Sequence, residues 1–398
     1  MIIAINKPKG PSSFQMIGQI RKITGIRKIG HAGTLDPLAS GVLVVAIGRE
    51  STRQISQIVE KEKEYVAKIK FGLTSSTDDE AGEKKIISAR KPRLEEIEKI
   101  IPKFLGNIKQ VPPQFSAIKI KGNRAYQMAR AGQIVKFRER FVEIKNIEIL
   151  NYKYPYLNIK VTTGPGAYIR SLARDIGQKL KVGAYMAELQ RTRVGDYKIE
   201  DCLPLSKIKE SMKNFNLIKS ISAGDIGVMS TDTIYGLMGL ALNKKVVQRI
   251  YKVRKRSPEK PFIILISSIE DLGLFGIKIN AEEKAVLEKF WPGKISIILP
   301  CKSSKWQYLH RGTKGLAFRL PKKPSLINIL KQTGPLISTS ANPEGEVPAK
   351  TIAEAKKYFG HEVDFYVSGK SNSEPSTLAQ LQSNGELVVL RQGAVKIN

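Results

Sequence analysis

The sequence predicts a mixed α/β (α+β) protein with two domains, at residues 1–205 and 221–398, joined by a linker at residues 206–220. The length of 398 residues corresponds to two or three domains of ordinary size. In both halves, apolar runs typical of strands alternate with amphipathic helix patterns, an order that favours α/β or α+β folds. The stretch from Pro204 to about Ser222 is polar and rich in lysine, which indicates a linker with some helix.

The N-terminal half shows its strand and helix patterns in a clear order. Apolar or alternating runs predict strands at residues 2–8, 42–48, 63–72 and 156–164. Helices are expected at Ser13–Thr24 with Ser12 or Ser13 as the N-cap, at residues 94–106 with Gly106 at the end, and at about Tyr168–Leu180. Residues 73–90 are polar, and we expect a loop there.

The C-terminal half repeats the alternation with different sequences, and no internal repeat relates the two halves. Strands are expected within residues 224–231, 261–268, 291–300, 316–321 and 335–342. The segment 235–243 runs into a helix that has Asn243 near its start.

The charge of the chain points to a polyanionic partner. Its net charge is +31, with 37 basic and 20 acidic residues in 1–205 and 30 and 16 in 206–398. A hydrophobic fraction of 41% excludes a disordered polycation, so nucleic acid is the favoured partner and an acidic membrane surface a less common one. The alternative is an AT-rich genome, which raises the lysine content of every protein.

Few residues are available for disulfides or metal sites. Cys202 and Cys301 lie about a hundred residues apart, and with three histidines they make neither a disulfide framework nor a zinc cluster. The N-terminus lacks the apolar core of a signal peptide, and no apolar run reaches the length of a membrane span. We therefore expect a cytoplasmic protein without a metal site of its own.

The candidate catalytic group of the N-terminal half is Asp36, in the glycine-rich segment 30–41 that precedes a buried strand. Tyr168 and Arg170 follow a strand-to-helix turn, where an arginine can pair with a carboxylate and keep it ionised. Spacing alone leaves two alternatives open, because Asp36 also suits a turn or helix cap and Arg170 an ordinary helix start.

In the C-terminal half, hydroxyl, amide and basic groups gather at predicted strand ends, where α/β sheets commonly bind anions. They are Ser230, Thr231, Thr233, Tyr235, Arg254, Arg256, Lys260, Ser338, Ser340 and Asn342. A solvated basic turn is the alternative for the segment 254–260.

Five blocks make the N-terminal half resemble the TruB type of tRNA pseudouridine synthase, which isomerises the uridine at position 55 of the T-loop. They are INKPKGPSS (5–13), GHAGTLDPLASGVL (30–43), KEYVAKIKFG (63–72) with VPPQFSAIKIKG (111–122), GPGAYIRSLARDIG (164–177) and, more loosely, AELQRTRVGDY (187–197). The resemblance implies a mixed sheet with flanking helices. It also implies that uridine leaves the base stack before reaction and that no cofactor takes part.

The same resemblance assigns roles to single residues of this half. It makes Asp36 the aspartate that attacks the ribose or base, Arg170 its ion-pair partner and Tyr168 the tyrosine that assists proton removal from C5. For RNA binding it implies Tyr65 as the stacking aromatic, His31 as a wedge in the T-loop, Leu189 as a pocket wall and Lys7 as a structural or backbone-contacting lysine. Gln190 departs from the basic residue usual there, and the family's terminal RNA-binding PUA domain is not recognised.

The C-terminal half, from about Lys219 to Ile397, resembles the YrdC/TsaC family. The resemblance rests on the strand-end segments above and on FWPGKISIILP (290–300), LAFRLP (316–321), EPSTLAQL (374–381) and LRQGAV (390–395). It implies a twisted mixed α/β sheet that makes threonylcarbamoyl-AMP from L-threonine, bicarbonate and ATP with Mg²⁺, for N6-threonylcarbamoyladenosine at tRNA position 37.

In this half the resemblance gives the strand-end residues above, other than Ser230, an ATP- and threonine-binding role. It adds Arg319 and Arg391 as ligands of phosphate or carboxylate. Three residues depart from the family pattern: Arg254 replaces a lysine, Met229 a proline and Lys294 a second proline.

Together the two resemblances predict a bifunctional enzyme that binds tRNA, with a threonylcarbamoyl transferase complex as a further partner. Two alternatives stay open: a synthase whose C-terminal half is a non-catalytic module that binds RNA or nucleotide, and an RNA chaperone.

Overall fold

The structure is a computed structural model of the chain, and it describes residues 1–116, 118–120, 123–131, 137–371, 374–382 and 384–397. Two compact units divide the chain between Met212 and Lys213. Each unit is built on one large mixed sheet, which confirms the predicted α/β class with two sheet-containing domains. The expected block 111–122 is described only in part, because residues 117, 121 and 122 lie outside the described residues.

Unit 1 holds a nine-stranded sheet and two small two-stranded sheets. Its strands are β1 Ile2–Lys7, β2 Ile29–Ala32, β3 Ser40–Ile47, β4 Lys63–Phe71, β5 Leu73–Ser75, β6 Lys84–Ile86, β7 Gly106–Gln110, β8 Lys119–Ile120, β9 Asn123–Arg124, β10 Arg140–Lys153, β11 Tyr156–Thr163, β12 Ala184–Val194 and β13 Tyr197–Lys198. Its helices are α1 Ser13–Thr24, α2 Arg49–Val59, α3 Leu94–Ile100, α4 Ala125–Arg130, α5 Ile169–Lys179 and α6 Ile208–Ser222, the last of which crosses into unit 2.

The large sheet of unit 1 places β12 near its centre. The order is β1-β3-β12-β4-β11-β10-β7, with β2 on β3 and β13 on β12. β3 is buried on both faces, which explains its continuous apolar run, whereas β4 alternates between buried and half-buried residues. β12 pairs with both β3 and β4 and thereby joins the segment after Asp36 to the strand that carries Tyr65.

Unit 2 holds a second nine-stranded sheet in the order β20-β14-β15-β19-β16-β18-β17-β21-β22. Its strands are β14 Gly227–Ser230, β15 Tyr235–Leu240, β16 Ile263–Leu265, β17 Ile295–Pro300, β18 Gly315–Arg319, β19 Leu336–Ser340, β20 Phe365–Val367, β21 Thr377–Leu381 and β22 Leu387–Arg391. Its helices are α7 Lys244–Arg254, α8 Ala281–Phe290, α9 Gln307–His310, α10 Pro324–Thr333 and α11 Ile352–Phe359.

Local signals locate several helix ends where the sequence predicts them. α1 begins after Ser12, whose side chain accepts from the Gln15 amide, and it ends at Gly25 in the left-handed region. Asn243 caps α7 through the amides of Lys245 and Val246. These ends depend on a few adjacent residues, and the sequence is sufficient to predict them.

Four segments differ from the sequence prediction. Residues 73–90 contain the paired strands β5 and β6, which are too short and polar to show strand periodicity. The helix at 94–106 is α-helical only to Ile100 and continues as a 3-10 turn at Ile101–Phe104, since Pro102 has no amide N–H to donate to the carbonyl four residues before it. The strand within 261–268 is only Ile263–Leu265. Most of 206–220 belongs to helix α6, because Ile208 and Leu217 are buried among apolar side chains.

Candidate functional sites

In unit 1, Asp36 and Arg170 form an ion pair although 134 residues separate them. Arg170 Nε lies 3.0 Å from Asp36 Oδ2, and Nη2 donates to Oδ1 at 3.3 Å. The Arg170 side chain is 4% exposed and the Asp36 side chain 32%. The buried arginine therefore holds a carboxylate that one side leaves open to a ligand.

The loop around Asp36 is held from both of its flanks. Ser13 Oγ donates to the Leu35 carbonyl at 3.0 Å and accepts from the Leu35 amide at 2.9 Å. The Gly10 amide donates to the Pro37 carbonyl at 2.7 Å. These bonds fix the backbone on either side of the carboxylate, so Asp36 projects from a rigid turn.

Lys7 lies beside the same turn, where its ammonium group donates to the Pro37 carbonyl at 3.5 Å. Its side chain is buried, and its ammonium group donates to the carbonyls of Pro8 and Pro11 at 2.9 and 2.8 Å. Burial lowers the pKa of Lys7 to about 8, while the nearby Asp36 charge acts in the opposite direction. These contacts fit the structural alternative of the two roles that the sequence suggested for Lys7.

A second carboxylate, Asp79, shares Arg170 with Asp36. Asp79 Oδ2 lies 3.5 Å from Arg170 Nη1, and Asp79 is buried. Arg170 also donates to the carbonyls of Thr77 at 3.3 Å and Phe115 at 2.9 Å. Asp79 was not among the predicted site residues, because its segment has the pattern of a polar loop. In the structure it lies between β5 and β6 and forms a backbone bridge with Met186 of β12.

Arg191 is a further buried cation that was not among the predicted site residues. It lies on β12 and donates to the Val42 carbonyl at 2.7 Å and the Gly33 carbonyl at 3.0 Å, one on each side of the Asp36 turn. The backbone of Gly41 comes so close that a Cβ there would lie 2.1 Å from the Arg191 carbonyl oxygen. Arg191 falls within the loosely matched block 187–197, which was the available signal.

The charges around Asp36 act on its pKa in opposite directions. Burial raises the pKa of the carboxyl group, and the Asp79 charge raises it further. Arg170, Lys7 and Arg191 lower that pKa by favouring the ionised form. The net effect is a raised pKa, so the cations offset only part of the cost of burying a carboxylate in this turn.

The remaining predicted residues of unit 1 lie on neighbouring elements. Tyr65 on β4 and Leu189 on β12 are buried in the same apolar cluster, where Leu189 pairs with Ala67. Tyr168 precedes α5, and its backbone exchanges two hydrogen bonds with the Gln110 side chain at 2.8 and 3.0 Å. The Arg140 guanidinium lies 4.9 Å from the centre of its ring. His31 is on β2, opposite Val45, five residues before Asp36.

Unit 2 contains a cavity of about 710 Å³ lined by most of the predicted binding residues. Those that line it are Thr231, Thr233, Arg254, Arg256, Arg319, Ser338, Ser340 and Arg391. Lys314, Lys350 and Gln380 also line it and were not predicted. Among the described residues that form this lining there is no carboxylate, so the cavity is suited to anions.

Arg254 is buried at this cavity. Nη2 donates to Ser340 Oγ at 2.8 Å and Nε to the Asn342 carbonyl at 3.1 Å, whereas Nη1 has no hydrogen-bond partner among the described residues. Burial, and next the charge of Arg256, lowers the pKa of Arg254 to about 10, so the group stays cationic at neutral pH. An unpaired buried N–H is a donor that a bound anion can satisfy.

A second arginine reaches the cavity through the Thr231–Thr233 segment. Arg319 Nη1 donates to Thr233 Oγ1 at 3.0 Å, and Nη2 lies 3.4 Å from Asp232 Oδ1. The hydroxyls of Thr231 and Thr233 are 2.9 Å apart and share a hydrogen bond. Full burial lowers the pKa of Arg319, and the Asp232 charge opposes that change. This network fixes the hydroxyl groups at the end of β14.

Three predicted residues of unit 2 are not among those that line the cavity. Tyr235 Oη donates to the Gly369 carbonyl at 2.7 Å. Asn342 donates to the carbonyls of Pro343 and Glu346 at 2.8 and 2.7 Å. Lys260 is exposed and pairs with Glu344 at 2.5 Å. In this structure their side chains hold the backbone or a surface loop near the cavity.

Two further features are absent from the part of the chain that the structure describes. It contains no group of three or more His, Cys, Asp or Glu side chains that could hold a metal ion. No helix within it is long and apolar enough to cross a membrane.

Family models match both halves of the chain. The model described as "TruB family pseudouridylate synthase (N terminal domain)" matches residues 21–169, and the one described as "tRNA pseudouridylate synthase B C-terminal domain" matches residues 170–219. The Sua5/YciO/YrdC model, described as "Telomere recombination", matches residues 219–393.

Two curated synthases and one solved structure are similar to parts of this chain. tRNA pseudouridine synthase B of Protochlamydia amoebophila is 44% identical over 202 residues, which cover 51% of this chain and 77% of that protein. The protein of the same name from Clostridium tetani is 45% identical over 210 residues, 52% of this chain and 72% of that one. For the C-terminal half, the structure of P. abyssi Sua5 complexed with L-threonine has 25% identity and a TM-score of 0.43, and it covers 46% of this chain and 54% of that one.

The N-terminal matches span more than two thirds of the related synthases at over 40% identity, and the third family model covers the other half of the chain. The chain thus belongs to the TruB family of tRNA pseudouridine synthases through its N-terminal half and carries a Sua5/YrdC domain in its C-terminal half.

Proposed function

We propose that the chain is a bifunctional tRNA-modifying enzyme. Its N-terminal half converts the uridine at position 55 of the tRNA T-loop to pseudouridine, and its C-terminal half forms threonylcarbamoyl-AMP. The observation that carries the proposal is the partly exposed Asp36 carboxylate, held 3.0 Å from the buried Arg170 within a TruB-type unit. The cavity of unit 2, which is lined by arginines and hydroxyl groups, supports the second activity.

In the first reaction the target uridine leaves the base stack so that its glycosidic bond becomes accessible. Stacking on Tyr65 offsets about 1–3 kcal/mol of that cost. Asp36 attacks the nucleoside at the ribose or the base, and the bond between C1′ and N1 breaks. The detached uracil rotates, C1′ bonds to C5, and the bond between Asp36 and the nucleoside breaks to restore the free carboxylate. The proton on C5 is then removed with help from Tyr168, and N1 gains one.

This isomerisation needs no second acid to activate water, because the uracil is rejoined rather than released. Arg170 holds the carboxylate in its ionised, nucleophilic form, and Arg191 and Lys7 keep the turn in place. His31 and Leu189 are proposed to contact the opened T-loop and the base, respectively. No cofactor takes part in this half.

In the second reaction the amine of L-threonine adds to bicarbonate with loss of water, and the carbamate oxygen attacks the α-phosphorus of ATP. A P–O bond forms, and pyrophosphate leaves. Arg254, Arg319 and Arg391 are proposed to neutralise phosphate and carboxylate charge, while the Thr231 and Ser338 hydroxyls orient the substrates. Mg²⁺ enters as part of the nucleotide substrate, since the described lining of the cavity has no carboxylate to hold it.

The decisive experiment measures pyrophosphate release from ATP by the full chain, with L-threonine and bicarbonate each present or omitted. Release that requires both supports adenylate synthesis. The threonylcarbamoyl group is then expected to pass to tRNA through a separate transferase complex.

The matched test of the first half uses Asp36→Asn and Asp36→Ala on a tRNA transcript. We expect pseudouridine formation to fall at least about 10⁴-fold while tRNA affinity and pyrophosphate release stay near the parent values. Turnover retained in either variant would exclude Asp36 as the nucleophile.

One second candidate has a specific observation in its favour. Arg254, Met229 and Lys294 depart from the YrdC pattern, and Arg254 lines the cavity itself. A domain that binds nucleotide or RNA without making the adenylate would bind ATP but release no pyrophosphate. A protein that still makes pseudouridine yet releases none under all four substrate conditions would establish this alternative.

A further inference from the structure

A second cavity of unit 2, of about 570 Å³, is lined by four lysines. They are Lys294 before β17, Lys322 and Lys323 after β18, and Lys370 after β20. The two cavities share only Thr231 among the residues that line them. None of the four lysines lines the first cavity, so they form a separate group of positive charges.

Among the described residues, none of these four lysines is in an ion pair with a carboxylate. Asp232 is the one carboxylate among the described residues that line the cavity, and it lies 3.4 Å from the buried Arg319. Asp232 Oδ2 also accepts from the backbone amide of Lys322 at 3.0 Å. Within the described part of the chain, no carboxylate lies within 4.0 Å of any of the four ammonium groups.

Lys323 is built into the wall of the cavity. Its ammonium group donates to Ser230 Oγ at 2.7 Å and to the carbonyls of Ser230, Thr231 and Lys370 at 3.0, 3.3 and 3.1 Å. Burial lowers the pKa of Lys323, while the Asp232 charge opposes the change. These contacts hold a positive charge beside the cavity, whereas the ammonium groups of Lys294, Lys322 and Lys370 are available to bind a ligand.

The N-terminus of helix α10 adds to the same field. The helix has ten residues, begins at Pro324 directly after Lys323, and has neither an acidic residue in its first turn nor a side-chain cap. Its macrodipole therefore places partial positive charge near the lysines.

We propose that this cavity is a phosphate-binding site, separate from the nucleotide cavity, with Lys294, Lys322 and Lys370 as its ligands. Phosphate is the anion that fits flexible ammonium groups beside a helix N-terminus. It has two sources in this system, the RNA backbone and free pyrophosphate or nucleotide. Binding at this cavity does not depend on either proposed reaction.

The first test needs no variant. The full chain is acetylated at its lysines with a water-soluble reagent, alone, with a tRNA transcript, and with inorganic pyrophosphate, and each site is quantified by mass spectrometry. At a ligand concentration about ten times Kd, we expect acetylation of Lys294, Lys322 and Lys370 to slow about tenfold, since only the free fraction reacts. The exposed Lys278, Lys302 and Lys331, which line neither cavity, serve as controls.

The second test compares two charge-matched triple variants in the full chain. The salt dependence of tRNA binding is the slope of the logarithm of the binding constant against the logarithm of the salt concentration. We expect this slope to be smaller in magnitude by about 1 for each phosphate group that Lys294→Gln/Lys322→Gln/Lys370→Gln no longer binds. Lys278→Gln/Lys302→Gln/Lys331→Gln removes the same net charge and is expected to keep the parent slope. Lys323 is left unchanged because its contacts are structural.

The outcomes identify the source of the phosphate. Protection by tRNA, together with a smaller slope in the cavity variant, assigns the site to the RNA backbone. Protection by pyrophosphate, with an unchanged tRNA slope, assigns it to a free phosphate compound. Equal protection of both lysine sets, or no protection of the cavity lysines by either ligand, overturns the proposal.

Discussion

The two units of the chain differ in the sign of the charged groups at their candidate sites. In unit 1, a single partly exposed carboxylate, Asp36, is encircled by the buried cations Arg170, Arg191 and Lys7. In unit 2, the first cavity presents arginines and hydroxyl groups, and no carboxylate belongs to its described lining. The cations of the first arrangement favour the ionised form of Asp36, whereas in the second arrangement a bound ligand would supply the negative charge. Ionic groups of the same kind thus suit covalent catalysis in one unit and positioning in the other.

The largest effect of a substitution outside Asp36 is expected at Arg170. Arg170→Met leaves the carboxylates of Asp36 and Asp79 without their buried partner, which costs about 3–5 kcal/mol in the free energy of unfolding. Since Arg170 lowers the pKa of Asp36, its removal raises that pKa further. A smaller fraction of Asp36 is then ionised at a given pH, so the acid limb of kcat/KM moves to higher pH.

Arg174→Met is the matched control for Arg170→Met. Arg174 lies one turn further along α5 and pairs with Asp78 at 2.8 Å and Asp175 at 2.9 Å. Its removal should lower stability without moving the acid limb. Identical pH–rate profiles for Arg170→Met and the parent enzyme would refute the proposed role of the ion pair.

Gly41 gives the next largest effect and tests whether the Asp36 turn depends on Arg191. Gly41 has φ of +108°, and a Cβ would collide with the Arg191 backbone. Gly10 has φ of +113° but no atom within 4 Å of a new Cβ. In urea unfolding, Gly10→Ala should cost about 1–3 kcal/mol of backbone strain, and Gly41→Ala clearly more. Equal destabilisation of the two variants would show that the close approach is not important.

In unit 2, Arg254→Ala is expected to reduce pyrophosphate release about 10²-fold and to leave pseudouridine formation unchanged. The physical reason is the removal of a buried cation whose Nη1 has no other partner among the described residues. Lys252→Ala, on the exposed face of the same helix, is the control. A parallel fall in both activities of Arg254→Ala would contradict separate sites.

The smallest effect is expected at Lys260, which the sequence placed with the binding residues and the structure places on the surface with Glu344. Lys260→Ala should change pyrophosphate release by less than about twofold and leave pseudouridine formation unchanged. The hydrogen bond from Lys260 is the main cause that lowers the pKa of Glu344 to about 2. We therefore expect the pKa of Glu344 to rise in Lys260→Ala, which NMR titration of the carboxyl group would measure. A large fall in pyrophosphate release would show that Lys260 takes part in the second reaction.

Much of the fold was accessible from the sequence because its signals are local. The apolar run of β3, the alternation of β4 and the Ser12 and Asn243 caps each depend on adjacent residues. The β5–β6 pairing was missed, because three-residue polar strands carry no periodicity.

The candidate sites were accessible only in part. Residue type and the family resemblance suggested that Asp36 and Arg170 pair, and the structure brings them together. Neither Asp79 nor Arg191 was singled out, because a polar loop and a strand-borne arginine look ordinary until long-range contacts bury them. The lysines of the second cavity come from three separate segments, and no spacing along the chain relates them.

By itself, the sequence determined the mixed α/β class, the lack of any internal repeat between its two halves and the residue types that carry the chemistry. Hydrophobic periodicity and helix capping depend on residues close together in sequence, so they can be recognised without knowledge of the rest of the chain. Only the tertiary structure decided that two carboxylates share Arg170, that Lys260 faces solvent and that four lysines surround one cavity. Burial and charge pairing depend on residues far apart in sequence, and the free energy of a charge is set by those neighbours.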